Sequence, residues 1–172
     1  MTRFASLLVL GLSLLPRAAA AQEPSPLRWP DTMNLSGPRI GITFLSEGVV
    51  RTLRGEHDVE VNSFVSQFGW QKEKRFLSGE NGATAITEWI LLVGGINQGA
   101  FLPSVSWLVR FRTAKGIEFA VDPNLTPAGS AMAVAAGMTL RVGNLNVPVN
   151  LAVVPSTSGV RVSLLAGFNA QR

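Results

Sequence analysis

The chain has 172 residues, of which 47% are hydrophobic and only 15% are charged, and its formal net charge is +4. This length favours one domain behind a short leader, and the charge is too small to indicate a nucleic-acid partner. The chain contains no cysteine, which excludes disulfides, thiolate metal sites and cysteine nucleophiles. Its single histidine excludes multi-histidine metal sites. The composition therefore argues against an enzyme, and we expect no cofactor.

Residues 1–21 have the features of a cleaved signal peptide. Arg3 supplies a positive charge, residues 5–15 form an apolar run, and the alanines at 18–21 provide small residues for cleavage. As a helix this run would span about 16 Å, which is short of a roughly 30 Å hydrocarbon core. The alternatives are an N-terminal membrane anchor and an amphipathic arm. Export of a cysteine-free chain favours a bacterial envelope. Residues 22–38 contain four prolines and are predicted to form an extended lead-in.

From residue 39 onward, apolar residues recur at every second position, which is the period of a β-strand with one apolar face. In residues 104–113, for example, Trp107 and Phe111 lie on one face and Arg110 on the other. The pattern predicts eight strands, at residues 39–45, 62–76, 84–97, 101–113, 116–123, 130–143, 145–154 and 159–169.

The connections after the third strand are short, whereas parallel neighbours need crossovers of about a dozen residues. The strands are therefore predicted to pair as antiparallel neighbours and to close into an all-β, eight-stranded up-and-down barrel, which has no exposed edge. The longer connection, between strands 1 and 2, is predicted to hold a short helix. Ser46 is a plausible N-cap for it, and Val49, Val50 and Leu53 form an apolar stripe.

Alternation by itself does not say whether the apolar face points into the barrel or out to lipid. Eight strands enclose room for only modest side chains, which favours placing large aromatic residues outside. The aromatic residues of the apolar face are Phe44, Phe64, Phe68, Trp70, Trp107, Phe111, Phe119 and Phe168. The opposite face carries small residues and ions of both signs, which can pair in a narrow interior. The candidate ion network comprises Glu73, Arg75, Glu88, Arg110, Arg112, Glu118, Asp122, Arg141 and Arg161.

With these features, residues 39–169 resemble the OmpA/OmpX type of small bacterial outer-membrane barrel. The resemblance rests on the export signal, the eight alternating strands and a last strand, GVRVSLLAGF, that ends on Phe168. It implies a non-enzymatic, monomeric outer-membrane barrel with a structural or surface role and with membrane lipid as its partner. The chain departs from this type in three ways: residues 169–172 follow Phe168, tyrosine is absent, and the connections are short at both ends.

Two other functions remain open at the level of the sequence. A soluble periplasmic barrel that binds an apolar ligand, as lipocalins do, is favoured by residues 84–97 and 130–143, which are apolar on both faces. An exported enzyme acting on envelope lipid would use His57, which lies between Glu56 and Asp58. A solvated loop histidine is the simpler interpretation.

Two groups of charged residues also have alternative interpretations. Residues 72–75, Lys-Glu-Lys-Arg, either contact anionic lipid headgroups or lipopolysaccharide phosphates at a barrel rim, or form a solvated strand end. Four arginines either select anions in a pore or belong to a structural network, and they are Arg110, Arg112, Arg141 and Arg161. Barrels of eight strands are generally filled by side chains, which favours the structural network.

Overall fold

The computed structural model describes residues 35–170, without the side chains of Arg141 and Ala170. The predicted signal peptide and residues 22–34 of the predicted lead-in lie outside the described residues. Within this range the chain forms strands, one α-helix and a 3-10 turn at Ile96–Gln98. These elements are β1 (Gly37–Leu45), α1 (Glu47–His57), β2 (Phe64–Ser78), β3 (Thr84–Gly94), β4 (Leu102–Arg112), β5 (Ile117–Thr126), β6 (Gly129–Val142), β7 (Leu145–Ser156), β8 (Gly159–Gly167) and β9 (Asn169–Ala170).

Strands β1 to β8 form a closed barrel in which each strand pairs antiparallel with its neighbours in the chain. Pairing of β1 with β8, for example Phe44 with Val162, closes the barrel. A path that starts at Lys74 in β2 and steps from each residue to its paired residue on the next strand runs once around the barrel. It returns to β2 at Phe64, so the barrel has a stagger of ten residues. This stagger over eight strands corresponds to a strand tilt of about 40°. The prediction of an eight-stranded antiparallel up-and-down barrel is confirmed.

Two strand boundaries differ from the prediction for identifiable reasons. β5 continues through Pro123 to Thr126, although the pattern placed its end at the proline. The β4–β5 pairing has a gap opposite Pro123, since proline has no N–H to donate. β3 ends at Gly94, earlier than predicted, because Gly95 has a φ of 80° and begins the turn at Ile96–Gln98.

Helix α1 is present in the connection where it was predicted, and it covers one end of the barrel. Its buried residues Val49 and Leu53 pack in one cluster with Leu45, Val61, Val65 and Leu102. Ser46 occupies the N-cap position, but its side chain makes no capping bond. Instead, Ser46 Oγ accepts a hydrogen bond from the backbone N–H of Val160 at 3.0 Å, which ties the start of α1 to β8.

The two ends of the barrel differ in what they carry. The end covered by α1, here called the helix end, also carries the β3–β4, β5–β6 and β7–β8 connections. The opposite end, here called the terminal end, carries the first residue of β1, the last residue of β8 and the other three connections. No helix within residues 35–170 is long and apolar enough to cross a membrane.

Candidate functional site: the barrel interior

The apolar face of the strands lies on the outside of the barrel. All eight aromatic residues predicted to share this face are between 42% and 64% exposed. Trp89 and Trp107 stack on this surface with ring centroids 6.0 Å apart, and Trp107 Nε1 donates a hydrogen bond to Thr87 Oγ1 at 2.8 Å. Among the described strand side chains, Lys72 and Lys74 are the exposed charged ones. The outer surface is therefore a nearly uncharged apolar belt.

The half of the interior nearer the terminal end holds a network of ion pairs. Arg110 Nη2 lies 2.8 Å from Glu88 Oε2, and Arg110 Nη1 also donates to Glu118. Arg112 donates to both carboxylate oxygens of Glu73, at 2.7 and 3.0 Å, and its Nε donates to Glu118 at 2.6 Å. The five side chains are at most 6% exposed, so this network, here called the ionic layer, is shielded from solvent.

Uncharged side chains and a third arginine complete the ionic layer. Arg39 Nε donates to Gln71 Oε1 at 2.8 Å, and Gln71 Nε2 donates to Glu88 Oε1 at 2.9 Å. Thr139 Oγ1 donates to Glu118 at 2.9 Å, and Asn150 Oδ1 accepts from Arg110 Nη1 at 2.7 Å. Three arginines thus balance three glutamates, which is how buried charge is tolerated.

The first described residues pack against the terminal end of the barrel. The side chain of Leu35 is fully buried, and its carbonyl oxygen accepts a hydrogen bond from Arg39 Nη2 at 3.0 Å. Ser36 Oγ accepts a hydrogen bond from the backbone N–H of Glu73 at 2.8 Å. The chain that precedes β1 is therefore fastened to the ionic layer.

The structure brings five of the nine predicted network residues together, and they are Glu73, Glu88, Arg110, Arg112 and Glu118. Asp122 and Arg161 are also buried but belong to none of these four ion pairs. Arg75 is half-buried on β2, and the side chain of Arg141 is not among those described. The sequence analysis missed Arg39, although its alternation with the outward Ile40 and Ile42 was a sufficient signal.

An apolar layer lies next to the ionic layer on the side of the helix end. Ile90, Leu108 and Ala120 are each the next inward-facing residue, toward the helix end, after a charged residue of the ionic layer on the same strand. Together with Leu92, Ala135 and Leu165 they form one buried cluster. Apolar side chains therefore occupy the barrel beside Arg110, which favours a structural role for this arginine over a pore.

A cavity of about 90 Å³ lies between this apolar layer and α1. Its walls are mostly apolar and include Val49 and Leu53 of the helix. Polar groups in the walls bond to one another: Thr43 Oγ1 lies 2.6 Å from Ser163 Oγ and donates to Gln67 at 2.7 Å, while Asn124 Nδ2 donates to Ser104 and Ser106 at 3.0 and 2.8 Å. The cavity is enclosed on its helix side by α1.

His57, the candidate for an enzymatic function, is the exposed last residue of α1 and does not line the cavity. Within residues 35–170, no three His, Asp or Glu side chains are grouped so that they could hold a metal ion. Comparison of the chain with protein-family models, with curated proteins and with solved structures finds no match. Its function has therefore to be inferred from its own geometry.

Proposed function

We propose that this protein is a non-enzymatic β-barrel of a bacterial outer membrane with a structural or surface role. The observation that carries the proposal is the direction of its side chains, with apolar groups outside and ions inside. Thirty large hydrophobic side chains among the described residues are exposed. A soluble monomer rarely exposes an apolar surface of this extent, whereas a barrel in lipid requires it.

The dimensions of the barrel support the same proposal. β5 has 10 residues, and at a tilt of about 40° such a strand spans roughly 25 Å along the barrel axis. The apolar band of outer-membrane barrels is also about 25 Å tall. Both the strand length and the tilt therefore suit a bilayer.

The barrel ends suggest an orientation in the membrane. Outer-membrane barrels have short periplasmic turns and longer outer connections, and the longest connection here, which contains α1, lies at the helix end. The helix end would then face outward. Lys72 and Lys74 lie on the half of β2 nearer the terminal end, where their ammonium groups would reach anionic headgroups of the periplasmic leaflet.

The alternative, a soluble periplasmic barrel of the lipocalin type, has weaker support. Ligand pockets for apolar molecules usually enclose about 300–1,000 Å³, whereas the cavity beneath α1 is about 90 Å³. The aromatic side chains that would line such a pocket are exposed on the outside. This geometry favours the membrane proposal.

Fractionation of bacteria that express the full-length chain tests the location directly. We expect the protein in the outer-membrane pellet, with gel migration that changes on boiling, because a folded barrel resists detergent until it is heated. A freely soluble periplasmic monomer would overturn the proposal and favour the lipocalin-type alternative.

A charged substitution on the outer surface gives an independent test. Val121, in the middle of β5, and Val142, at the last position of β6, are both exposed. In lipid vesicles, Val121→Arg should lower the free energy of unfolding by about 2–4 kcal/mol and Val142→Arg by no more than about 1 kcal/mol, because the cost depends on depth. Equal and negligible effects would contradict a lipid-facing belt.

A further inference from the structure

The cavity beneath α1 contains two buried charges of opposite sign that do not pair with each other. Asp122 and Arg161 both line the cavity and are 3% and 6% exposed. No N–O distance of 4.0 Å or less joins them. Arg110 also lines this cavity, but its two Nη groups bond to Glu88, Glu118 and Asn150, which leaves only its Nε without a partner.

Each of the two charges leaves hydrogen-bonding capacity unused. Arg161 Nη1 donates to Thr126 Oγ1 at 2.5 Å, but Nε and Nη2 have no partner, and neither does Asp122 Oδ1. Nε and Nη2 form the side of a guanidinium that binds a carboxylate through two parallel hydrogen bonds. A buried carboxylate oxygen, in turn, requires a donor. Arg161 and Asp122 therefore contribute one unused donor pair and one unused acceptor to the wall of the same cavity.

These groups restrict the charge of a ligand. A simple anion on Arg161 would be repelled by Asp122, and a simple cation on Asp122 would be repelled by Arg161. A molecule with both charges satisfies the two residues without adding net charge to the interior. The apolar part of the wall, which includes Leu92 and Leu165, would accept a small hydrocarbon group.

The volume restricts the size of the ligand. A cavity of about 90 Å³ is several times the roughly 10–15 Å³ that one enclosed water needs, and it is well below the roughly 300 Å³ at which pockets for drug-sized ligands begin. We propose that the cavity binds a small zwitterion, of the size of glycine or alanine, with its carboxylate on Arg161 and its ammonium group on Asp122. This inference goes beyond the proposed function, because it holds for the barrel interior wherever the barrel resides.

Calorimetric titration of the detergent-purified full-length protein tests the ligand class. We expect glycine or alanine to bind at least about tenfold more tightly than propionate or ethylammonium, each of which lacks one of the charges and leaves one buried group unsatisfied. Leucine should bind more weakly than alanine, because its larger side chain needs more of the limited volume. Equal binding of propionate and alanine, or no binding of any of these compounds, would overturn the proposal.

Substitutions assign the two charges to the two ends of the ligand. Arg161→Gln and Asp122→Asn should each weaken alanine binding about tenfold or more, and Asp122→Asn should in addition favour propionate because the repulsion is removed. Arg54→Gln, an equivalent change on the exposed face of α1, should leave binding unchanged. Circular dichroism verifies that each variant is folded. Unchanged alanine binding by folded Arg161→Gln would overturn the proposal, as would a crystal structure soaked in alanine that shows only water in the cavity; if neither variant folds, the ligand series on the unmodified protein decides.

Discussion

The two halves of the barrel interior are built on the same strands but are filled in different ways. Toward the terminal end, long charged side chains meet in the middle and satisfy one another, as Arg112 and Glu73 do with two hydrogen bonds. Toward the helix end, inward positions are held by shorter residues such as Ala133 and Ser163, and the space is closed by α1. The side chains of the strands fill the half nearer the terminal end, whereas the half nearer the helix end also needs α1 to cover it.

This difference shows how a narrow barrel can combine rigidity with a binding site. Ion pairs fill the interior at the ionic layer with charged side chains, and removal of one member leaves its partners as buried charges without compensation. The half under α1 can retain a cavity, because its shorter inward side chains do not reach across the barrel and α1 covers the remaining space. The contrast can be tested by substitutions, described below from the largest expected effect to the smallest.

Removal of the central arginine of the ionic layer should have the largest effect. Arg110 contacts Glu88 and Glu118 and is 2% exposed. Arg110→Leu leaves these carboxylates without their partner, so we expect the free energy of unfolding to fall by about 3–5 kcal/mol. Urea unfolding of the refolded barrel in detergent or lipid measures this change.

The control for Arg110→Leu, in the other half of the interior, is Asp122→Asn, for which little change is expected. Asp122 has no ion-pair partner within 4.0 Å in the described structure, so we expect the loss of its charge to change the stability by no more than about 1 kcal/mol, or to increase it. A destabilisation as large as that of Arg110→Leu would show that the two halves are equally dependent on charge.

Shortening a buried side chain of α1 should have the next largest effect on stability, and this effect should be confined to the docking of α1. Leu53 is 2% exposed and packs between α1 and the barrel. Leu53→Ala should weaken the docking of α1 by about 2–5 kcal/mol, which predicts faster trypsin cleavage after Arg51 and Arg54 while the strands stay intact. Mass spectrometry of the fragments gives the site and the rate. Glu56→Ala, on the exposed side of the helix, is the control and should be cleaved at the original rate.

A smaller effect than that of Leu53→Ala is expected at the contact between α1 and the β7–β8 turn. A Cβ added at Gly48 would lie 2.0 Å from the carbonyl oxygen of Ser158, whereas one added at Gly55 would meet nothing within 4 Å. Gly48→Ala should therefore destabilise the docked helix by about 1–3 kcal/mol, and Gly55→Ala should stabilise it by about 0.5–1 kcal/mol. The same proteolysis assay measures both, and equal cleavage rates for the two variants would contradict the close approach at Gly48.

Much of the fold could be predicted because one local rule applies along the whole barrel. Period-two alternation placed all eight strands of the barrel within a few residues of their observed bounds, and the short connections required antiparallel pairing. Helix α1 was predictable from the apolar stripe of Val49, Val50 and Leu53 in a mostly polar connection. The exceptions were non-periodic: Pro123 marked a gap in one ladder rather than a strand end, and Gly95 ended β3 through its positive φ.

The candidate site was less predictable, since it depends on which inward residues face one another. The sequence placed Asp122 and Arg161 on the polar face, but it grouped them with Arg110 and Arg112 in a single network. In the structure they belong to none of the ion pairs of the ionic layer, and they line the cavity beneath α1 together with Arg110. The positions of the strands in the sequence do not give the stagger of the barrel. The stagger decides the height along the barrel axis at which each inward side chain lies.

The sequence by itself determined the alternation, the number of strands and the choice of residues for each face, because these follow from the local geometry of an extended chain. The tertiary structure decided which side was the interior and which charges met. Glu73 and Arg112 are 39 residues apart and pair only because a stagger of ten residues brings them to the same height. The position of α1 over a cavity also depends on the closed barrel, because the residues that α1 packs against lie on different strands and meet only when the barrel is formed.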